Sequence, residues 1–243
     1  MGRYPFITIL AKAVTKLIPG DDSLKEGNSR HLAAISMEQS PSIALGQAKE
    51  EIIKMGYLSV KGLNELLQYL LTNSNKHRET ALQFKGAINS LDEKVSDYLV
   101  RISTIDFSKK EAAKYVMLID TVREIEKIGD RFENIIDLVE HPFSHKAVPT
   151  DPWLSDLKEV FQMTIDTVDQ AIIAFDHYDL EQAKEIVENK DILGKTERML
   201  RRERVFRMNG GQGEINLVDL VTNLEKIEAH AVKLSKTIIG DCR

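Results

Sequence analysis

The chain has 243 residues, 42% of them hydrophobic, with 38 acidic against 33 basic side chains and a net charge of -5. Charges alternate in sign along the chain, which excludes a surface built for nucleic acid; the single cysteine, Cys242, excludes an intrachain disulfide framework and any cysteine-rich metal site. Six prolines, thirteen glycines and few aromatics among many Leu, Ile, Glu, Lys and Ala predict an all-α fold.

No stretch reaches the roughly 20 apolar residues that span a bilayer. The nearest, YPFITILAKAVTKLIPG (4–20), is interrupted by Lys12 and Lys16, which also argues against a secretory signal. Ile7, Leu10, Val14 and Leu17 share one helical face, so an amphipathic helix is expected over 4–19. Two placements are open for it: on a membrane surface, or docked on the chain's own core. GDDSLKEGNSR (20–30) is polar and aperiodic, a linker that sets residues 1–30 apart.

Helical periodicity begins at Pro41, with Ser40 or Ser42 as cap, and runs to about Thr72. A second helix is expected from about Glu79 to Ile102. Ser108 and Glu111 form a capping box for a third, ending at Val139. EHPFSHKAVPTDPW (140–153) breaks the pattern, and three more helices are expected near 153–176, 179–208 and 214–239, with NGGQG (209–213) as a loop. The cluster Arg198, Arg201, Arg202, Arg204 and Arg207, with Glu203 interleaved, leaves two readings open: a solvated helix face, or a phosphate or partner contact.

Shifting the chain by 99 positions lays 118–139 over 217–238. Leu118, Asp120, Val122, Glu126, Lys127 and Ile128 then meet identical residues at Leu217, Asp219, Val221, Glu225, Lys226 and Ile227. The matching helix order predicts an internal duplication: two tandem three-helix bundles, over 31–145 and 146–243, preceded by the amphipathic segment.

The third helix holds a heptad of Leu118, Val122, Ile125, Gly129, Phe132, Ile136 and Val139, a core stripe. Glu126, Asp130, Glu133 and Asp137 run beside it. Two like charges one turn apart repel, and spacing leaves two accounts open. One is a hard or intermediate divalent cation held jointly with Glu93 and Asp97 of the second helix; the other is neutralisation by Arg123, Lys127 and Arg131 as ordinary surface pairs. In the second half Glu225 persists, whereas Glu228 replaces the glycine and Ala229 the aspartate; Glu228 could serve as an i+3 substitute, although it would project nearer the core than Asp130. His177 and His230 are expected on helix surfaces. No histidine follows a glutamate by three, so a carboxylate-bridged metal enzyme lacks its usual ligand pair, and no nucleophile motif occurs.

LIDTVREIEKIGDRFENI resembles the signature helix of PhoU-like proteins: Glu126, Ile128, Gly129, Asp130, Asn134 and Ile135 fit its pattern, with Lys127 for an arginine. NLEKIEAHAVKL resembles the family's second copy. HLAAISMEQSPSIALGQAKEEIIKMGYLSV, through Pro41, Ala44, Leu45, Gln47, Ala48 and Glu51, is similar to the junction where the membrane part of bacterial sodium/phosphate (Na/Pi) cotransporters meets a cytoplasmic PhoU-like domain. The resemblance implies a non-enzymatic regulator in phosphate homeostasis, cytoplasmic and at the inner face of the membrane through residues 4–19. Its implied partner is a phosphate transporter's membrane domain or a phosphate-signalling protein. Implied metal ligands are Glu126 and Asp130 helped by Glu93 and Asp97, and Glu225 helped by Glu197, for iron, zinc, manganese, nickel or magnesium. The alternative within the family is a free-standing regulator of a phosphate ABC transporter and its sensor kinase. The altered second motif also permits a homodimer, since a surface freed from metal duty can become an interface.

Overall fold

The computed structural model describes residues 40–140, 151–189, 196 and 215–241. Among these the regular elements are helices: α1 (Pro41–Thr72), α2 (Asn75–Ile102), α3 (Lys109–Glu140), α4 (Asp151–His177), α5 (Leu180–Glu188) and α6 (Ile215–Asp241). The segment 4–19, the linker 20–30, the arginine cluster 198–207, the loop 209–213 and most of the midpoint break lie outside the described residues.

Local chemistry sets the helix ends. Ser40 Oγ accepts the Ile43 amide at 3.4 Å and Pro41 occupies the first turn, where its missing N–H costs nothing. Asn73 ends α1 in the left-handed region (φ 49), its N–H donating to Tyr69 O at 2.8 Å; asparagine tolerates that backbone better than most residues. The turn is so short that α2 starts at Asn75, four residues before the expected Glu79. The capping box of α3 forms as expected: Ser108 N–H donates to Glu111 Oε2 at 3.0 Å and Glu111 N–H to Ser108 Oγ at 3.4 Å. Ser42 Oγ donates to the same carboxylate at 2.8 Å, tying the start of α1 to the start of α3.

The expected helix over 179–208 is interrupted. Asp179 caps α5 by accepting the amides of Glu181 and Gln182, but α5 stops at Glu188 and Asn189 is extended (φ -70, ψ 123). The sequence there is Glu188-Asn189-Lys190-Asp191, and Asn and Asp side chains compete with the helix for backbone partners.

Helices α1, α2 and α3 pack on one another, as do α4, α5 and α6; α1 against α4 and α3 against α6 join the two groups. The heptad of α3 is buried throughout, and the buried side chains of both groups form one continuous core. Each Leu, Ile or Phe hidden there contributes about 1.5–3 kcal/mol relative to exposure. Close approach is set by two glycines of α1. A Cβ on Gly62 would lie 2.6 Å from Phe132 Cζ, and one on Gly56 would lie 2.9 Å from Ile172 Cγ1.

Polar contacts fix the junction. His230 Nδ1 on α6 donates to Glu124 Oε2 on α3 at 2.6 Å, and Thr121 and Thr237 hydroxyls lie 3.4 Å apart. His230 is therefore not the surface residue its lone position suggests: it is 8% exposed because Glu124, across the junction, supplies the partner that burial requires. His177 is exposed as expected. Where α1 meets α4, Lys49 Nζ donates to Asp176 O at 2.5 Å and lies 3.7 Å from the centroid of the Tyr178 ring, bracing a turn whose φ is 53.

Candidate functional site

Helix α3 places Glu126 half-buried and Asp130 exposed on the flank facing α2. Burial, then a hydrogen bond and charge shared with Asp130, then the charge of Asp92, push the Glu126 carboxyl up to about 7, against a smaller pull from Lys127. The facing residue is thus Asp92, not Glu93 or Asp97. Burial raises Asp92 above the ordinary carboxylate range, with the charges of Asp130 and Glu93 adding to it; Ser96 Oγ, 3.5 Å away, partly offsets this. Glu93 and Asp97 are both exposed, about 100° and about 140° round the helix from Asp92. The signal was present: Ile88, Asp92, Val95 and Leu99 follow a four-three-four spacing, so Asp92 occupies an apolar-stripe position of α2.

Asp92 and Glu126 close one end of a groove of about 360 Å³ between α2 and α3, whose remaining walls include Leu99, Tyr115, Ile119 and Val122. The expected neutralising pairs do not form at Glu126: Lys127 Nζ bonds Glu124 instead at 3.2 Å, and Arg131 Nε is buried without a partner. Among the described residues no three His, Cys, Asp or Glu side chains converge as a metal centre.

In the second half Glu225 is half-buried and Glu197 lies outside the described residues. Glu228, expected nearer the core than Asp130, is 8% exposed, and burial followed by the charge of Glu225 pushes it up to about 7. It lines a cavity of about 120 Å³ with Asp166, Thr167 and Gln170 of α4. A carboxyl whose folded pKa exceeds its ordinary 4.5 favours folding fully below that value and loses the contribution as pH rises through about 7. Glu228→Gln should therefore gain thermal stability on the parent chain between about pH 5 and pH 8, as should Glu126→Gln more weakly. Parallel melting curves for parent and variants across that range would count against raised carboxyls.

A family model described as the PhoU domain matches twice, at 52–139 and 157–238, together more than half of the chain. The chain belongs to the PhoU family. The two matches coincide with the two helical groups, and the fold agrees: the crystal structure of PhoU from Pseudomonas aeruginosa superposes with a TM-score of 0.78 at 17% identity, covering 84% of this chain and 99% of that one. A phosphate-specific transport system accessory protein PhoU homolog of Xylella fastidiosa is 22% identical over 199 residues, 80% of this chain and 83% of the relative. A putative inorganic phosphate export protein, YjbB of Salmonella typhimurium, is 17% identical over 191 residues, 78% of this chain but 35% of the relative. No helix among the described residues is long and apolar enough to cross a membrane.

Proposed function

We propose that this PhoU-family chain is a non-catalytic regulatory accessory protein of phosphate transport, acting in the cytoplasm on a transporter and its signalling partner. The observation that carries this is the pair of PhoU repeats filling both helical groups, with similarity spanning most of an accessory protein's length and only about a third of the phosphate export protein's. The test is complementation. Introduced into a bacterium lacking its own PhoU-type protein, the chain should restore repression of a phosphate-starvation reporter in high phosphate; a reporter that stays fully on overturns the proposal.

A second reading, the cytoplasmic module of a Na/Pi-type transporter held at the membrane by residues 4–19, is favoured by the likeness of residues 31–60 to the cotransporter junction and by the similarity to the export protein. Substituting Leu10 and Val14 by glutamate should then release the chain from lipid vesicles. Unchanged partitioning would remove this reading and leave the first intact.

The regulator's ligand, on the same proposal, is a divalent cation at Glu126 and Asp130 with Asp92 opposite. Burial, then the hydrogen bond and charge of Asp130 and the charge of Asp92, raise Glu126; a bound cation offsets those charges, so affinity rises with pH as that carboxyl deprotonates. Asp92→Asn should weaken manganese binding by roughly tenfold or more, as loss of a supporting group does, whereas Asp97→Asn leaves it unchanged. Titration calorimetry showing the reverse order would place the cation on the outer face of α2.

A further inference from the structure

Gly129 of α3 sits in the core stripe, where a Cβ would lie 3.1 Å from Ile88 of α2. Its counterpart on α6 under the 99-residue shift is Glu228, so a carboxyl stands where the first half has no side chain at all. That carboxyl is 8% exposed and, among the described residues, has neither a hydrogen bond nor an ion pair. A buried ionisable group without a partner is uncommon and calls for an occupant.

Glu228 lines the cavity of about 120 Å³ between α4, α5 and α6. Asp166, Thr167 and Gln170 of α4 and Asn189 just after α5 give it polar walls; Met163 and Ile186 give it apolar ones. Acceptors dominate the polar part. Gln162 Nε2 donates to Asp166 Oδ1 at 2.9 Å, leaving Oδ2, and Thr167 Oγ1 donates its proton to Met163 O at 2.9 Å, leaving its own lone pairs. Asp166, Gln170 and Asn189 are exposed whereas Glu228 is buried, so the cavity opens at a polar rim and ends on a carboxyl. The charge of Glu225, one turn away, makes it more negative still.

This lining selects among cations. A hard divalent ion takes several oxygen ligands, but among the described residues no three acidic or imidazole side chains converge, and Met163 and Ile186 would turn apolar atoms towards its waters. An alkylguanidinium fits better: a planar cation that only donates, carried on an apolar stem. Its carbon and three nitrogens suit a space that would hold about four waters at roughly 30 Å³ each. It can also bond a carboxylate through two parallel N–H groups. Free arginine would bring its own carboxylate to the rim beside Asp166, whereas an arginine within a polypeptide brings none.

We propose that the cavity between α4, α5 and α6 receives the guanidinium of an arginine side chain presented by a partner protein, with Glu228 as its carboxylate and Asp166 at the rim. The stem then lies against Met163 and Ile186. The site is separate from the carboxylates of α2 and α3 and needs no metal. It adds a protein contact to the regulatory reading without depending on it, and complementation of the reporter is unaffected by whether the cavity binds.

The test titrates the full chain with N-acetyl-arginine N-methylamide, in chelator and at about pH 8, where Glu228 is largely ionised, while the methyl resonances of Met163 and Ile186 are followed. Both should shift and saturate, and the neutral citrulline amide of the same shape should give no saturable shift. Glu228→Gln keeps the form of the side chain and should weaken the probe by about tenfold, the effect of one lost charge-assisted bond. Asp97→Asn, which removes one acid in the other half, should leave it unchanged, and free arginine should bind more weakly than the amide. Equal shifts with the citrulline amide, or an affinity indifferent to Glu228→Gln, overturn the proposal. So does tighter binding of free arginine, which would make the cavity a small-molecule site. Saturable manganese binding at Glu228 without chelator, with no response to the guanidinium, would make it a metal site and overturn the proposal equally.

Discussion

Phe132→Ala should destabilise the chain by about 3–5 kcal/mol, the range for removing a fully enclosed aromatic ring. Phe132 has no exposed surface and its ring rests against Gly62 of α1, so the vacated space lies between two helices that cannot both relax into it. The same contact predicts the reciprocal effect. Gly62→Ala drives a methyl into the ring and should cost about 1–3 kcal/mol by overpacking. Because the two positions touch, Gly62→Ala with Phe132→Leu should cost less than the sum of the singles. Urea denaturation of the four proteins measures the coupling; strict additivity would mean the ring does not define the spacing of α1 and α3.

The second large effect is expected at the junction of the two helical groups. His230→Ala strips Glu124 of its 2.6 Å partner and leaves only Lys127, which is itself over a third exposed, to face a nearly enclosed carboxylate. Breaking a buried pair from one side costs about 3–5 kcal/mol, and the surviving Lys127 contact places this case near the lower end. Replacing both Glu124 and His230 by leucine should recover most of the loss, because no stranded charge remains. The pH signature has a definite sign. Burial lowers His230, outweighing the opposite pull of Glu124, and bonds from His230 and Lys127 lower Glu124 despite its own burial. Both groups therefore contribute fully above their ordinary values of 6.5 and 4.5 and lose that contribution as pH falls through the depressed ones. Glu126 and Glu228 act with the opposite sign in the same range, so the His230→Ala variant should be compared with the parent at each pH. A difference between the two that is constant down to acid pH would show the pair to be unimportant electrostatically.

Much of the architecture was legible because it is written in periodicity. The α3 heptad from Leu118 to Val139 can sit still only with that stripe inside, and Ser108 with Glu111 marks its start without reference to any other helix. What was not legible depends on a neighbour. Glu93 and Asp97 form the matching i, i+4 pair of acids but stand on the exposed side of α2, whereas Asp92 lies on the apolar stripe that carries it inward. His230 looked like a surface residue because its partner lies 106 positions away. Glu228 lies inward as its place on the helix suggests, but that α4 walls it in depends on a neighbour the sequence does not name.

The way the halves meet has a consequence for their history. The first helix of one half touches the first helix of the other, and third touches third, which is how two identical subunits pair across a two-fold axis. Under the 99-residue shift, Glu124 and His230 correspond to Asn223 and Arg131. Within one polypeptide such related positions need not match, and here a carboxylate and an imidazole stand in one pair of positions where the other holds an amide and a guanidinium.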